Sequence, residues 1–117
     1  VNDARNRFRN DYQAMLQKLL AHRRPAIVCT VYDAISEMTY EESLLLSLFN
    51  DVILRESIRC GLPVLDLREI CTEARDYSAL SPIEPSEIGG AKIVRGLRRI
   101  LQSHDFSQGE SVVYATP

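Results

Sequence analysis

Apolar residues recur at three- and four-residue spacing through 6–22. Phe8, Tyr12, Met15, Leu16, Leu19 and Leu20 share one face, which predicts an amphipathic helix. His22, Arg23 and Arg24 place positive charge at its C-terminus, and Pro25 stops it. The pattern then changes period. Residues 26–32 (Ala-Ile-Val-Cys-Thr-Val-Tyr) are almost continuously apolar, as suits a strand covered on both faces in a parallel sheet. After a loop at 33–38, Thr39-Tyr40-Glu41-Glu42 forms a capping box with Thr39 as N-cap. The helix it opens runs to about Cys60 and ends at Gly61. Its first half is apolar around most of its circumference. Asn50 interrupts that run, and a buried amide there needs a partner, so Asn50 reads as structural.

Gly61-Leu62-Pro63 leads into a second strand at 64–67, followed by a polar loop at 76–86. Ser86 caps a third helix whose inner face carries Ala91, Val94, Leu97, Ile100 and Leu101, while Lys92, Arg95, Arg98 and Arg99 face water. After His104 the pattern loosens. Ser111-Val112-Val113-Tyr114 reads as an edge strand or a segment crossing to a partner. Helix–strand–helix–strand–helix with short connections predicts right-handed βαβ units, hence an α/β, three-layer αβα flavodoxin-like arrangement with parallel strands. Two good strands are too few for such a sheet. The expectation is a partial domain over 1–103, completed by an N-terminal half or a second copy, with a tail at 104–117.

Composition narrows the function. The 117 residues suit one small domain, and 45% hydrophobic content is ordinary for a globular chain. A net charge of -2 and pI near 5.7 argue against a nucleic-acid partner. No apolar run approaches the ~20 residues of a membrane span. Cys29, Cys60 and Cys71 are odd in number and lack CxxC spacing. They argue against a disulfide framework or zinc site and fit a reduced, cytoplasmic setting, with Cys29 as core packing. Gly89-Gly90-Ala91-Lys92 lacks the spacing and the preceding strand of a phosphate loop, so no cofactor or metal is predicted.

The candidate chemistry lies in Pro82-Ile83-Glu84-Pro85-Ser86. Prolines fix the backbone on both sides of Glu84, between a strand end and a helix start. That placement suits either a site carboxylate or a residue that complements the helix N-terminus. Asp33, Asp66 and Asp76 also lie at or after strand ends, so an acidic cleft is expected there.

The order of motifs resembles the SGNH/GDSL hydrolase superfamily of serine esterases and lipases. Val1-Asn2-Asp3 is similar to the end of that family's GxND block, and Leu48-Phe49-Asn50 followed by 61–67 resembles the run into its last strand. The segment at 85–93 sits where the family has its His-Pro-Ser…Gly segment and final helix. The resemblance covers the chain to about Leu101. It implies a flavodoxin-like fold, ester hydrolysis or acyl transfer on a small-molecule ester, and Asn2 as side-chain donor of an oxyanion hole. Read without the family, Asn2-Asp3 is a turn or an N-cap.

The departures carry weight. The family's DxxH would set a base at 84 and its carboxylate at 81, where this chain has Glu84 and Ser81. The nucleophile block, expected before GxND, is missing. His22 and His104 sit where returning helices finish, away from the carboxyl ends of the strands where open α/β sheets bind ligands. A third helix of roughly sixteen residues puts about 24 Å between His104 and Glu84. Glu84 is then either a carboxylate base whose pKa burial must raise, or a residue of a catalytically inert binding or assembly module. A free-standing flavin or signalling domain would need phosphate-binding loops that the chain lacks.

Overall fold

The computed structural model describes residues 2–117. Helix α1 (Asn2–Leu20) is followed by strand β1 (Val28–Cys29), α2 (Tyr40–Arg59), β2 (Val64–Leu65) and a single helical turn, α3 (Leu67–Ile70). After a 3-10 turn at Ala74–Asp76 come α4 (Glu87–Ser103), a second 3-10 turn at Phe106–Gln108 and β3 (Val113–Tyr114). The caps form where the sequence places them. The Thr39 side chain accepts from Glu42 N at the start of α2, and the Ser86 side chain accepts from Gly89 N at the start of α4.

The three strands are parallel and lie in the order β1-β2-β3. Val28 pairs with Val64 and Cys29 with Leu65, while Val64 and Leu65 pair with Val113 and Tyr114. The edge strand expected at 111–114 therefore exists and adds to β2, which ties the 104–117 tail into the sheet.

The architecture corrects the expected three-layer flavodoxin-like sandwich. The molecule is mostly helical, with 57% helix against 7% strand, around a small three-stranded parallel sheet. The apolar runs at 26–32 and 64–67 yield strands of two residues because the ladder between them stops where β2 turns into α3, with Leu67 N taken by Thr30 Oγ. Just past β1, the Asn50 amide takes both peptide groups of Val31, at 2.8 and 2.9 Å, on the edge that faces away from β2. At the close of β2, the Asp66 side chain accepts from Arg68 N and turns the chain into α3.

Alternate strand residues point to opposite faces of the ribbon. Val28 and Val64 pack with Leu16, Ile53 and Leu62, against α1 and α2. Leu65 packs on the other face with Leu67, Ile70, Cys71, Tyr77 and Ile100, joined by Cys29 and by Ile93 and Leu97 of α4. Gly96 lets α4 lie on Leu65, whose side-chain methyls a Cβ there would crowd.

Gly89 sits against the carbonyl oxygen of Asp76, so any Cβ at that position collides with backbone. Gly90 has open space around it. Gly89→Ala should therefore cost about 1–3 kcal/mol by overpacking. Gly90→Ala should be neutral or stabilising by up to about 1 kcal/mol, through helix propensity. Urea denaturation of the two variants checks the contrast, and equal stabilities would refute this account of the α4 N-terminus.

Candidate functional site

Two loops leave the carboxyl ends of β1 and β2 and face each other. The first, at 30–37, begins with Thr30, a buried hydroxyl in an otherwise apolar run. Its Oγ donates to Asp66 Oδ1 at 2.8 Å and accepts from Leu67 N at 2.9 Å, so one hydroxyl joins the ends of both strands. Asp66 in turn accepts both arms of the Arg68 guanidinium, each at 2.8 Å. Burial works against the ionised Asp66, but the bonds from Arg68 and Thr30 outweigh it and hold the carboxyl below its ordinary value.

The second loop, at 71–86, is fastened at several points. Tyr77 O–H donates to the Cys71 carbonyl at 2.8 Å and accepts from Ala34 N at 3.1 Å, bridging the two loops. Burial pushes the Tyr77 hydroxyl up to about 12, so it remains a neutral donor at physiological pH. Tyr32 stands edge-on to the Tyr77 ring and donates its hydroxyl to the Ile83 carbonyl at 2.7 Å. Beneath the loop, the fully buried Asp76 carboxylate lies 2.7 Å from the Lys92 ammonium and accepts from Glu73 N at 3.0 Å. Its burial favours the protonated form, yet Lys92 and the Glu73 amide prevail and lower its pKa.

Between the loops lies an open cleft of about 750 Å³ lined by Ala34, Ser36, Glu37, Ala74, Arg75, Tyr77, Ser78, Ala79 and Pro82. Its walls are mostly small side chains around Tyr77 and Pro82, with Glu37 and Arg75 as the charged groups. Arg75 is already held by Glu73 at 2.7 Å. The expected acidic cleft is not what forms here. Asp66 and Asp76 are engaged by Arg68 and Lys92, and none of Asp33, Asp66 and Asp76 is in the lining.

The two site residues expected from the sequence stand apart from this lining. Glu84 is exposed two residues beyond Pro82, and its hydrogen bonds are made by backbone: its carbonyl accepts from Ser78 N at 2.8 Å, and its N–H donates to Ser81 O at 3.0 Å. The burial that a base at this position requires is not supplied by the described residues. Asn2 is exposed in the first turn of α1, one turn ahead of Arg5, which reaches Asp51 at 3.5 Å. No hydrogen bond joins Asn2 to Glu84. Val1, the first residue of the block similar to GxND, lies outside the described residues.

Both histidines are remote from the cleft. His22 is exposed just beyond α1. His104 caps α4, and its Nδ1 lies 2.8 Å from the Tyr114 hydroxyl. It lines a second cavity of about 400 Å³, together with Arg23, Arg24 and Pro63, at the amino ends of the strands. Among the described residues no three His, Cys, Asp or Glu side chains gather as a metal site. No described helix is long and apolar enough to cross a membrane.

Sequence reasoning did not single out Thr30, Tyr32 or Tyr77. One signal was available for Thr30, the lone hydroxyl inside an apolar strand; the tyrosines acquire their roles from loop geometry. Comparison with known proteins returns no significant match among family models, curated proteins or solved structures.

The lowered carboxylates make a pH dependence. Asp66 and Asp76 bind a proton less readily folded than unfolded, so their contribution is fully present above the ordinary value of 3.8. It is lost as pH falls through their lower folded values. Urea midpoints should thus hold from neutrality down to that range and drop below it. The drop should be shallower in Asp66→Asn and Asp76→Asn, and an undiminished slope in both would refute the assignment.

Proposed function

We propose that the chain is part of an SGNH-type hydrolase-like unit, with ester hydrolysis or acyl transfer on a small-molecule ester as its chemistry. The supporting observation is the cleft itself. Two pinned loops meet beyond the carboxyl ends of adjacent parallel strands, the position at which open α/β sheets bind ligands. In this reading the 71–86 loop, with Tyr77 at its base, forms one wall of a substrate cleft. Asn2 donates to the developing oxyanion and Glu84 stands at the base position. A serine nucleophile would come from a segment outside these residues, which would also have to bury Glu84 and raise its pKa. Free Cys29, Cys60 and Cys71 fit a reduced, cytoplasmic setting.

A second reading is favoured by the exposure of Glu84 and the remoteness of both histidines. Here the unit is catalytically inert and serves binding or assembly, using the same cleft. The loop fastenings serve either reading, because each fixes the cleft wall without contributing a reacting group.

A fluorophosphonate probe applied to the full-length protein separates them. The hydrolase reading expects stoichiometric labelling of one serine, and absence of labelling leaves the inert reading. In the labelled case, Asn2→Ala should lower kcat by about 10²–10³, as for loss of an oxyanion donor. Glu84→Gln should abolish the limb of the pH–rate profile that belongs to the base. Unchanged turnover in both variants would remove Asn2 and Glu84 from the site.

A further inference from the structure

Strand β1 is an edge, and its outward peptide groups are not all spent. Val28 N and Thr30 N donate to Pro63 O and Leu65 O at 3.0 and 3.2 Å, so residues 28 and 30 face β2. Residues 27, 29 and 31 therefore turn their N–H and C=O groups away from it. At Val31 both groups are taken by the Asn50 amide. At Ile27 and Cys29 they meet no hydrogen-bond partner among the described residues. Neither residue is fully buried, and Val31 beside them is 40% exposed. An unguarded edge of this kind is a template for another strand.

The surroundings select which strand. Asn50 closes the ladder at Val31, and Pro25 at the other end has no N–H to give. What remains is a two-residue ladder at Ile27 and Cys29, and it complements itself. When two copies meet antiparallel about a twofold axis at Val28, Ile27 of each faces Cys29 of the other as a hydrogen-bonded pair. Each such pair exchanges both N–H···O bonds, giving about four in all and leaving no outward group of 27 or 29 unused. The alternative registers put Cys29 opposite Pro25 or Ile27 opposite the closed Val31.

Charge agrees with the antiparallel direction. Arg23 and Arg24 precede β1 and Asp33 follows it, all three exposed. Antiparallel pairing about Val28 brings the basic end of each strand to the acidic end of the other. Parallel pairing of two copies would set like charges side by side.

We infer that the outer edge of β1 is a homodimer interface, in which Ile27 and Cys29 of two copies pair antiparallel about Val28. The inference is independent of the hydrolase reading, since it rests on the β1 edge alone. An isologous contact of this form closes on itself and gives a dimer rather than a fibre.

The test is sedimentation velocity from micromolar to millimolar protein, with site-resolved amide exchange in parallel. The expected result is a reversible dimer. The Ile27 and Cys29 amides should gain protection as it forms, while Val28 and Thr30 stay protected throughout. Cys29→Pro removes an outward donor but no bond to β2, and proline is tolerated on a strand edge, so this variant should be a folded monomer. Asp33→Lys, at an exposed loop position, sets like charges together and should abolish the dimer even if the proline variant fails to fold. A monomer at every concentration, a dimer with freely exchanging Ile27 and Cys29 amides, or an unaffected dimer in Asp33→Lys would each overturn the inference.

Discussion

One hydroxyl, that of Thr30, sits where β1 and β2 end. It accepts the first amide of α3 and donates to Asp66, whose carboxylate holds the Arg68 guanidinium. A buried hydroxyl and a buried carboxylate are costly unless satisfied, and here each satisfies the other. The junction turns two short strands into a fixed origin for two loops. The polar groups that end the strands are thus the same groups that aim the chain into the cleft. A longer sheet and a pinned cleft compete for these residues, and in this molecule the cleft wins.

The second support is the ion pair under the 71–86 loop. Asp76 reaches Lys92 of α4, its carbonyl accepts from Ser86 N, and Gly89 packs on the same carbonyl. Loop, helix N-terminus and cleft wall consequently form one unit. Removing Lys92 would leave a buried carboxylate without its counter-ion, which is far worse than never having buried the pair.

Helix caps are legible in the chain, whereas the faces of α4 are not: Lys92 turns in to Asp76, while Val94 and Leu101 are exposed. Thr39 and Ser86 cap their helices because each hydroxyl can reach an amide of the first turn, whatever the tertiary setting. Of the face expected on α1, Phe8, Tyr12, Leu16 and Leu20 pack, while Met15 and Leu19 beside them are exposed. Layer count was not legible in the same way. The runs at 26–32 and 64–67 carry enough apolar residues for long strands, and nothing local reveals that the Thr30 hydroxyl, distant in sequence, takes Leu67 N and ends the second of them. The setting of Glu84 is equally non-local. Prolines around Glu84 do fix its backbone, but its carboxylate stays in solvent, while Tyr32 grips the Ile83 carbonyl and Ser78 N the carbonyl of Glu84 itself.

The tail has its own consequence for handling the protein. Strand β3 closes the far ladder of β2 through Val112 O and Tyr114 O. Arg99 grips Thr116 beyond it at 2.7 Å, and Ser111 clips onto the Leu62 carbonyl at 2.6 Å. Trimming these residues, or crowding them with an affinity tag, strips the middle strand of a neighbour and leaves Leu65 and Tyr114's packing partners open to solvent.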